Sequence, residues 1–435
     1  MRLSIWMVAV AYATATSSAQ QPANAPARPG GARADSAPKP AADTAAIARA
    51  MRRLQAANAQ VPPPPQGVGG TQGPTNPRML PDFSAVGDLV GDLTDRGTTQ
   101  SDGTRFSVRE VELAVQAVVD PFFRGDVFLG ISDVEKISIE QAFLTTTALP
   151  HGLQVQMGRF LMPVGKQNTT HRHDLHTVEY PWVIQKFLSD DGLKGTGLTL
   201  SKIFSPFGFY QEMIVSAIDR FGDAPEGLRA GEAVNKSLDG LGYSARFRNY
   251  VDISQDVNFE LSASAITGKR VQPFTPFVSA AGDSLNAVNA RQSLGGLDLT
   301  FRWKPLQQGL YKSFLFQAEV MHQWNERVAS LPPKYPGIPA RPYLGPNRDF
   351  TGSYVFARWQ LSQRLYLGGR YDSLEDPTAD GATFSAGSGF LEWFPSEFSK
   401  LTAQYERATP PGQPAMNRIL LQAAFAVGPH KPHPF

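Results

Sequence analysis

The chain has 435 residues, with 41 basic and 39 acidic side chains and a formal charge of +2, so no strong global field indicates nucleic acid or an acidic partner. It contains no cysteine, which excludes disulfides, thiolate metal sites, cysteine nucleophiles and a lipidated N-terminal cysteine. The length could hold two or three soluble domains, but no interval looks like a second folded unit, so one large architecture is expected.

Residues 1–19 predict export. Arg2 precedes an apolar run that is followed by small residues up to Ala19, which is the pattern of a cleaved signal peptide. Residues 20–42 are rich in Ala, Pro and Gly and cannot bury a core, so they predict a disordered linker.

A short helix is predicted over residues 43–61. Ile47, Met51 and Leu54 recur at heptad-like spacing before a run of prolines. Two heptads are marginal alone, so a frayed amphipathic helix and a small coiled coil that ties subunits together both remain open. Residues 62–80 form a Pro/Gly linker, and we expect the whole N-terminal arm to be periplasmic.

From residue 81 to residue 435 the sequence consists of short segments in which apolar and polar residues alternate. Examples are REVELAVQAV, GYSARFRN, LGGLDLTFRWK and NRILLQAAFAV, each bounded by turn-forming residues. The alternation predicts about 16 strands, each near the length that crosses a bilayer when tilted. No segment after the signal peptide approaches the ~20 consecutive apolar residues of a membrane helix.

The connections between these segments indicate a membrane barrel. Short turns such as LPHG at Leu149 alternate with long connections such as 161–191 and 326–351, as in outer-membrane barrels. Aromatic residues flank the short turns, as an interfacial girdle requires. The terminal Phe435 resembles the signal that the barrel assembly machinery recognises. We therefore predict an all-β fold, a transmembrane antiparallel β-barrel in contact with the lipid of the outer membrane of a Gram-negative-type bacterium.

Several longer segments carry a family resemblance. They are RFSVREVELAVQAVVDPFFRGDVFLG, ISIEQAFLTTTALPHGLQVQMGRFLMPVGKQN, THRHDLHTVEYPWVIQKFL, DDGLKGTGLTLS, WFPSEFSKLTAQYER and NRILLQAAFAVGPHKPHPF. The chain resembles the porins grouped with phosphate-selective porins O and P, and most of all their zinc-regulated branch. The resemblance implies a barrel of sixteen strands or a similar number, a homotrimer, and passage of small solutes without an energy source.

The polar face of the predicted strands should line the channel with charges of both signs. The predicted lining residues are Arg124, Asp126, Glu140, Arg246, Arg248, Glu260, Asp298, Arg302, Glu319, Arg358, Arg370 and Glu392, and the same face includes Glu110, Glu112, Asp372 and Glu406. Phosphate-selective members are known for channels lined by arginine and lysine. Because acids are here at least as numerous as bases, the pattern favours a general or weakly selective pore.

One long connection, VGKQNTTHRHDLHTVEYPW, contains three of the chain's seven histidines. In porins a loop at this position folds inward and narrows the channel, so we predict a constriction loop that presents Lys166, His171, Arg172, His173, Asp174, His176 and Glu179 to solute. Protonation of its histidines near pH 6.5 would then shift selectivity toward anions. The alternative is a metal site in which His171 and His173 bind one ion and His176, Asp174 or Glu179 completes the ligand set.

The sequence shows no G-x-S-x-G elbow, H-E-x-x-H helix or phosphate-binding glycine loop, so we expect neither an enzyme nor a cofactor. The predicted function is passive diffusion of small hydrophilic solutes or ions. An uptake channel specific for zinc or for another ion such as phosphate, and a structural or adhesive barrel without conductance, remain as alternatives. A TonB-dependent transporter is disfavoured, because residues 20–80 are too short and too polar for a plug domain.

Overall fold

The computed structural model describes residues 81–100, 103–132, 136–221, 238–271, 286–287, 289–325, 328–331, 341–344 and 348–428. The predicted signal peptide, linkers and helix of residues 1–80, and the terminal Phe435, lie outside the described residues. These expectations stay predictions.

Sixteen antiparallel strands close into one barrel. Each strand pairs with the next barrel strand along the chain, and the first pairs with the last, with Val86 opposite Ala426. The prediction of an antiparallel barrel of about 16 strands is confirmed. The barrel strands are β1 (Asp82–Asp92), β2 (Phe106–Val118), β3 (Phe123–Ser132), β4 (Lys136–Thr146), β5 (Leu153–Leu161), β6 (Lys194–Phe204), β7 (Tyr210–Ile218), β8 (Gly242–Asp252), β9 (Val257–Val271), β11 (Asn289–Trp303), β12 (Phe314–Asn325), β15 (Arg348–Ser362), β16 (Leu365–Asp376), β17 (Ala382–Ser396), β18 (Ser399–Thr409) and β19 (Met416–Val427).

Three short strands form a separate antiparallel sheet within the long connections. They are β10 (Asn286–Ala287), β13 (Val328–Leu331) and β14 (Arg341–Leu344), with β13 in the middle. The one α-helix among the described residues, α1 (Trp182–Phe187), is too short to show helical periodicity in the sequence. No helix in the described part of the chain is long and apolar enough to cross a membrane.

The barrel turns its polar side chains inward and its apolar side chains outward. In β18, Lys400, Thr402 and Glu406 are buried, whereas Leu401 and Tyr405 between them are exposed. A soluble barrel would reverse this arrangement, since its apolar residues would fill the interior. The exposed apolar surface matches the lipid-facing band of an outer-membrane barrel.

Short turns gather at one end of the barrel and the longest connections at the other. Residues 119–122, 205–209, 363–364 and 397–398 are short turns, whereas residues 162–193 and 326–347 are long connections at the opposite end. Aromatic rings border the short-turn end, where Trp303 and Trp359 stack at 5.6 Å. Both features agree with the asymmetry predicted from the sequence.

Candidate functional site: a loop docked inside the barrel

The connection between β5 and β6, residues 162–193, packs against the inward-facing side of the wall and is called the inner loop below. Its apolar residues join one cluster with inward-facing residues of several strands. Loop members of the cluster are Met162, Val164, Leu175, Tyr180, Val183, Ile184, Phe187, Leu188 and Leu193, and wall members include Met321, Phe350, Tyr354, Phe356, Leu374, Phe384 and Phe390. The loop therefore has its own apolar core inside an otherwise polar interior.

The first part of the inner loop is fixed to β8, β9 and β12. Arg246 donates to the carbonyl oxygen of Gly165, and the Gly165 amide donates to Ser264 Oγ at 3.0 Å. The Lys166 amide lies 3.3 Å from both carboxylate oxygens of Glu319, and Lys166 Nζ donates to Glu260 Oε2 at 2.7 Å. Arg246, Glu260 and Glu319 were predicted to line the channel, and Lys166 was predicted to face solute from the constriction loop. In the structure these residues anchor the loop to the wall.

His171 points toward β2 and β4. Its Nδ1 lies 2.8 Å from Glu112 Oε2, its Nε2 lies 2.7 Å from the Gln141 amide nitrogen, and its ring packs on Phe128. Burial alone would lower the pKa of His171, but the hydrogen bond to Glu112 and the charge of that carboxylate outweigh burial and raise it. His171 thus gains its proton at a higher pH than an exposed histidine.

His173 is buried, with 2% of its surface exposed, and its ring lies 5.4 Å from that of His171. Lys400 on β18 donates to two carbonyl oxygens of this segment, those of His173 and Leu175, each at 2.6 Å. The expectation that His173 faces solute is therefore wrong. The cause is the short 3-10 turn Arg172–Asp174, which places the ring between the loop and the wall.

His176 lies apart from the other two histidines and contacts β15 and β17. Its Nδ1 lies 3.3 Å from Glu392 Oε1 on β17, and its ring stacks on Phe356 at 5.8 Å. Burial lowers the pKa of His176, and the positive charges of Arg358 and Lys400 add to this effect against Glu392. One cluster of three histidine ligands is not formed, because Leu175 is extended and directs His176 away.

Glu179 and its neighbours attach the loop to β1, β2 and β16. Arg109 Nη2 lies 2.5 Å from Asp88 Oδ2, Arg109 Nη1 donates to Val178 O at 3.0 Å and the same nitrogen lies 3.4 Å from Glu179 Oε1. Arg370 donates to Glu179 O at 2.8 Å. Burial alone would raise the pKa of Glu179, but Arg109 and Arg172 hold it below its usual value.

Helix α1 packs against β15 and β16, and its first residue, Trp182, makes further contacts with the wall. The Trp182 amide donates to Asp372 Oδ1 at 2.9 Å, and its indole Nε1 donates to Glu406 Oε1 at 3.2 Å. The indole ring lies 4.7 Å from that of Phe384, and the guanidinium of Arg418 stands 5.3 Å from the indole centroid. The Trp182 side chain therefore makes both apolar and polar contacts with the wall.

All twelve predicted lining residues lie on inward-facing rows, but most of them pair with each other or with the loop. Close ion pairs are Arg124 with Asp126, Arg246 with Asp298, Arg248 with Glu260, Arg358 with Glu392, and Glu140 with Lys194. Arg370 pairs with Asp372, and Glu319 accepts from Tyr354 and from the Lys166 amide. Arg302 is exposed.

Sequence reasoning missed Asp88, Arg109 and Lys400. Strict alternation places Arg109 out of phase with Glu112, but a register shift between β1 and β2 at Asp88/Leu89 turns it inward. Lys400 stands in phase with Thr402, Gln404 and Glu406, so the alternation of SKLTAQYER could have found it.

Comparisons with known proteins identify the fold of the chain but do not assign it to a family. No family model matches the chain. An uncharacterized protein of Aquifex aeolicus (strain VF5) is 25% identical over 346 residues, which are 76% of this chain and 70% of that protein. None of these findings names a substrate.

Solved structures of outer-membrane proteins are similar in architecture. A loop-deletion mutant of OmpT, an outer membrane protein of Vibrio cholerae, matches with a TM-score of 0.50 and 11% identity, over 80% of this chain and 100% of that one. An anion-selective porin from Comamonas acidovorans matches with a TM-score of 0.50 and 10% identity, over 80% of this chain and 99% of that one. The chain therefore has the barrel fold of outer-membrane porins.

Proposed function

We propose that the protein is an outer-membrane pore for passive diffusion of small hydrophilic solutes, narrowed by the inner loop. The observation that carries the proposal is the docking of this loop inside a closed barrel whose inner face is charged and whose outer face is apolar. Outer-membrane lipid around the wall, a homotrimeric assembly, and recognition of Phe435 during assembly belong to the same proposal.

Accessible charged side chains at the short-turn end support this function. A cavity of about 870 Å³ lies there, lined in part by Phe204, Tyr210, Arg248 and Tyr250. Half of the Arg124 side chain is exposed (50%), and Arg248 keeps 32% exposure, although both are ion-paired. These accessible charges would contact solute on the short-turn side of the inner loop.

Charges of both signs on the inner face support weak ion selectivity. Three ion pairs on this face are Arg124 with Asp126, Arg248 with Glu260, and Arg358 with Glu392. The opposite charges of each pair largely cancel at a distance. Arg302 differs because it is exposed on an inward-facing row near the short turns. It is the residue with which we propose to measure selectivity.

The test is the current through purified protein in planar bilayers, with chloride, phosphate and zinc salts. We expect stepwise conductance, and Arg302→Ala should lower the anion preference measured as a reversal potential in a salt gradient. The matched control is Arg407→Ala, because Arg407 carries the same charge on the outward-facing row of β18. Folded protein without any conductance would contradict the proposal.

A second candidate function is a barrel that does not conduct and serves a structural or adhesive role. The apolar packing of Val183, Ile184 and Phe187 against the wall favours it, since all three are fully buried. The same bilayer experiment decides between the two functions. Lys400→Met, which should loosen the docked loop, shows whether the loop itself blocks the current.

A further inference from the structure

Two histidines of the inner loop meet a carboxylate of the barrel wall. Glu112 on β2, His171 and His173 each offer one ligand atom, and these atoms lie within 4.8 Å of one another. Ligand atoms around a zinc ion stand about 2.0–2.2 Å from the metal and hence roughly 3–4 Å apart. Side-chain shifts of about 1 Å would therefore bring the three atoms around one ion.

The Glu112 carboxylate belongs to the barrel wall, and only one of its two oxygens has a partner among the described residues. The Glu112 side chain is 2% exposed, and its Oε2 lies 2.8 Å from His171 Nδ1. Its other oxygen, Oε1, is buried and has no hydrogen-bond partner in the described part of the chain. A buried carboxylate oxygen without a donor is costly, and a cation would satisfy it.

Asp174 is not one of the three closely spaced ligand groups but lies next to one of them, His173. Its Oδ2 lies 3.6 Å from His173 Nε2, and its Oδ1 is buried and has no hydrogen-bond partner among the described residues. Two imidazoles and two carboxylates are a donor set for a four-coordinate ion. The amide nitrogen of Gln141 lies 2.7 Å from His171 Nε2 and holds the ring next to the wall.

The arginine between the two histidines in sequence does not oppose a cation here. Arg172 donates to the carbonyl oxygen of Asp190, and its Nε lies 3.7 Å from Asp191 Oδ1. The 3-10 turn Arg172–Asp174 thus sends the guanidinium toward the end of the loop while both imidazoles face β2.

We propose that Glu112, His171 and His173, with Asp174 as a fourth ligand, bind a first-row divalent transition-metal ion such as Zn²⁺. Imidazole donors select this class over Mg²⁺ and Ca²⁺, which prefer oxygen donors alone. Because Glu112 belongs to the wall and the other ligands to the loop, the ion cross-links the two. The effect on permeation rests on the proposed pore function, whereas binding itself does not.

The first test measures binding of zinc to the full chain in detergent by titration calorimetry, with cobalt absorption as an optical probe of geometry. We expect one ion per chain. Glu112→Gln and His171→Asn should each weaken binding by tenfold or more. The controls are His176→Gln and a double variant of the C-terminal histidines, His430→Gln with His433→Gln, which should leave this site unchanged. Equal affinity in Glu112→Gln, or loss of binding in the controls alone, would overturn the proposal.

The second test needs no variant. X-ray absorption of the zinc-loaded wild-type protein should show two imidazole nitrogens and light oxygen donors around the metal, and a shell without imidazole would refute the site. Zinc should also lower the current in bilayers if the protein is a pore. Zinc binding at this site without any conductance would support the metal site and contradict the pore function. Conductance without zinc binding would support the pore function and contradict the metal site.

Discussion

Lys400 gives the sharpest test of how the inner loop is held. It is completely buried on β18, and its ammonium donates to the carbonyl oxygens of His173 and Leu175. Each hydrogen bond from a charged group contributes about 1.5–3 kcal/mol, but Lys400→Met also relieves the cost of burying the charge. We therefore expect a net loss of roughly 2–3 kcal/mol in loop docking, which corresponds to about 30- to 150-fold more frequent opening.

The assay is hydrogen–deuterium exchange of loop amides, since exchange of a protected amide follows the local opening equilibrium. The amide of Val178, which donates to Gln404 at 2.9 Å, is a suitable reporter. Lys202→Met is the matched control because Lys202 is an exposed lysine of β6. Strand amides should keep wild-type exchange in both variants. If loop exchange in Lys400→Met equals that of wild type, Lys400 does not hold the loop. An increased current in this variant would show that the docked loop narrows the pore.

Two further changes probe the loop at its other anchors. His176→Gln should weaken the pH dependence of loop docking. Burial lowers the pKa of His176 below 6.5 in the docked loop, so the undocked loop binds more protons just below that pH. Protonation of this histidine therefore favours release of the loop as the pH falls to about 5. Loop exchange at pH 5 and pH 8 measures this, and an identical pH response in variant and wild type would contradict it. Gly165→Ala should release the start of the loop, because Gly165 has φ +69° and a Cβ there would overlap Glu319. The measurement is again loop exchange, and Gly208→Ala, with φ +80° but open space around the Cβ, separates the clash from the backbone strain.

The sequence predicts the barrel well because a membrane wall has a simple rule. Each strand must turn apolar side chains to lipid and polar side chains inward, so a period of two marks every strand. Segments such as REVELAVQAV and NRILLQAAFAV accordingly fall within β2 and β19. The short turns also follow directly, since the residues between two alternating segments are few.

The contacts of the inner loop could not be predicted in the same way. Three histidines within six residues suggest one cluster, yet a 3-10 turn and an extended residue send His171 and His176 to different strands. The partner of His171 is Glu112, which belongs to another segment of the chain and is brought close only by barrel closure. The inward orientation of Arg109 could not be predicted from the alternation, because a single register shift reverses the direction of its side chain.

The way in which the loop is attached implies that it docks as a unit. Glu406 is completely buried and is shared by Trp182 of the loop and by Arg370 and Arg418 of the wall. Removing one partner from such a group leaves a buried charge unsatisfied, which costs more than the contact itself. Partial release is therefore unfavourable, because the apolar residues around α1 would lose their packing while the charged anchors lost their partners. A loop with these two kinds of contact should have one docked and one released state, and kinetics of loop exchange with a single opening rate would support that inference.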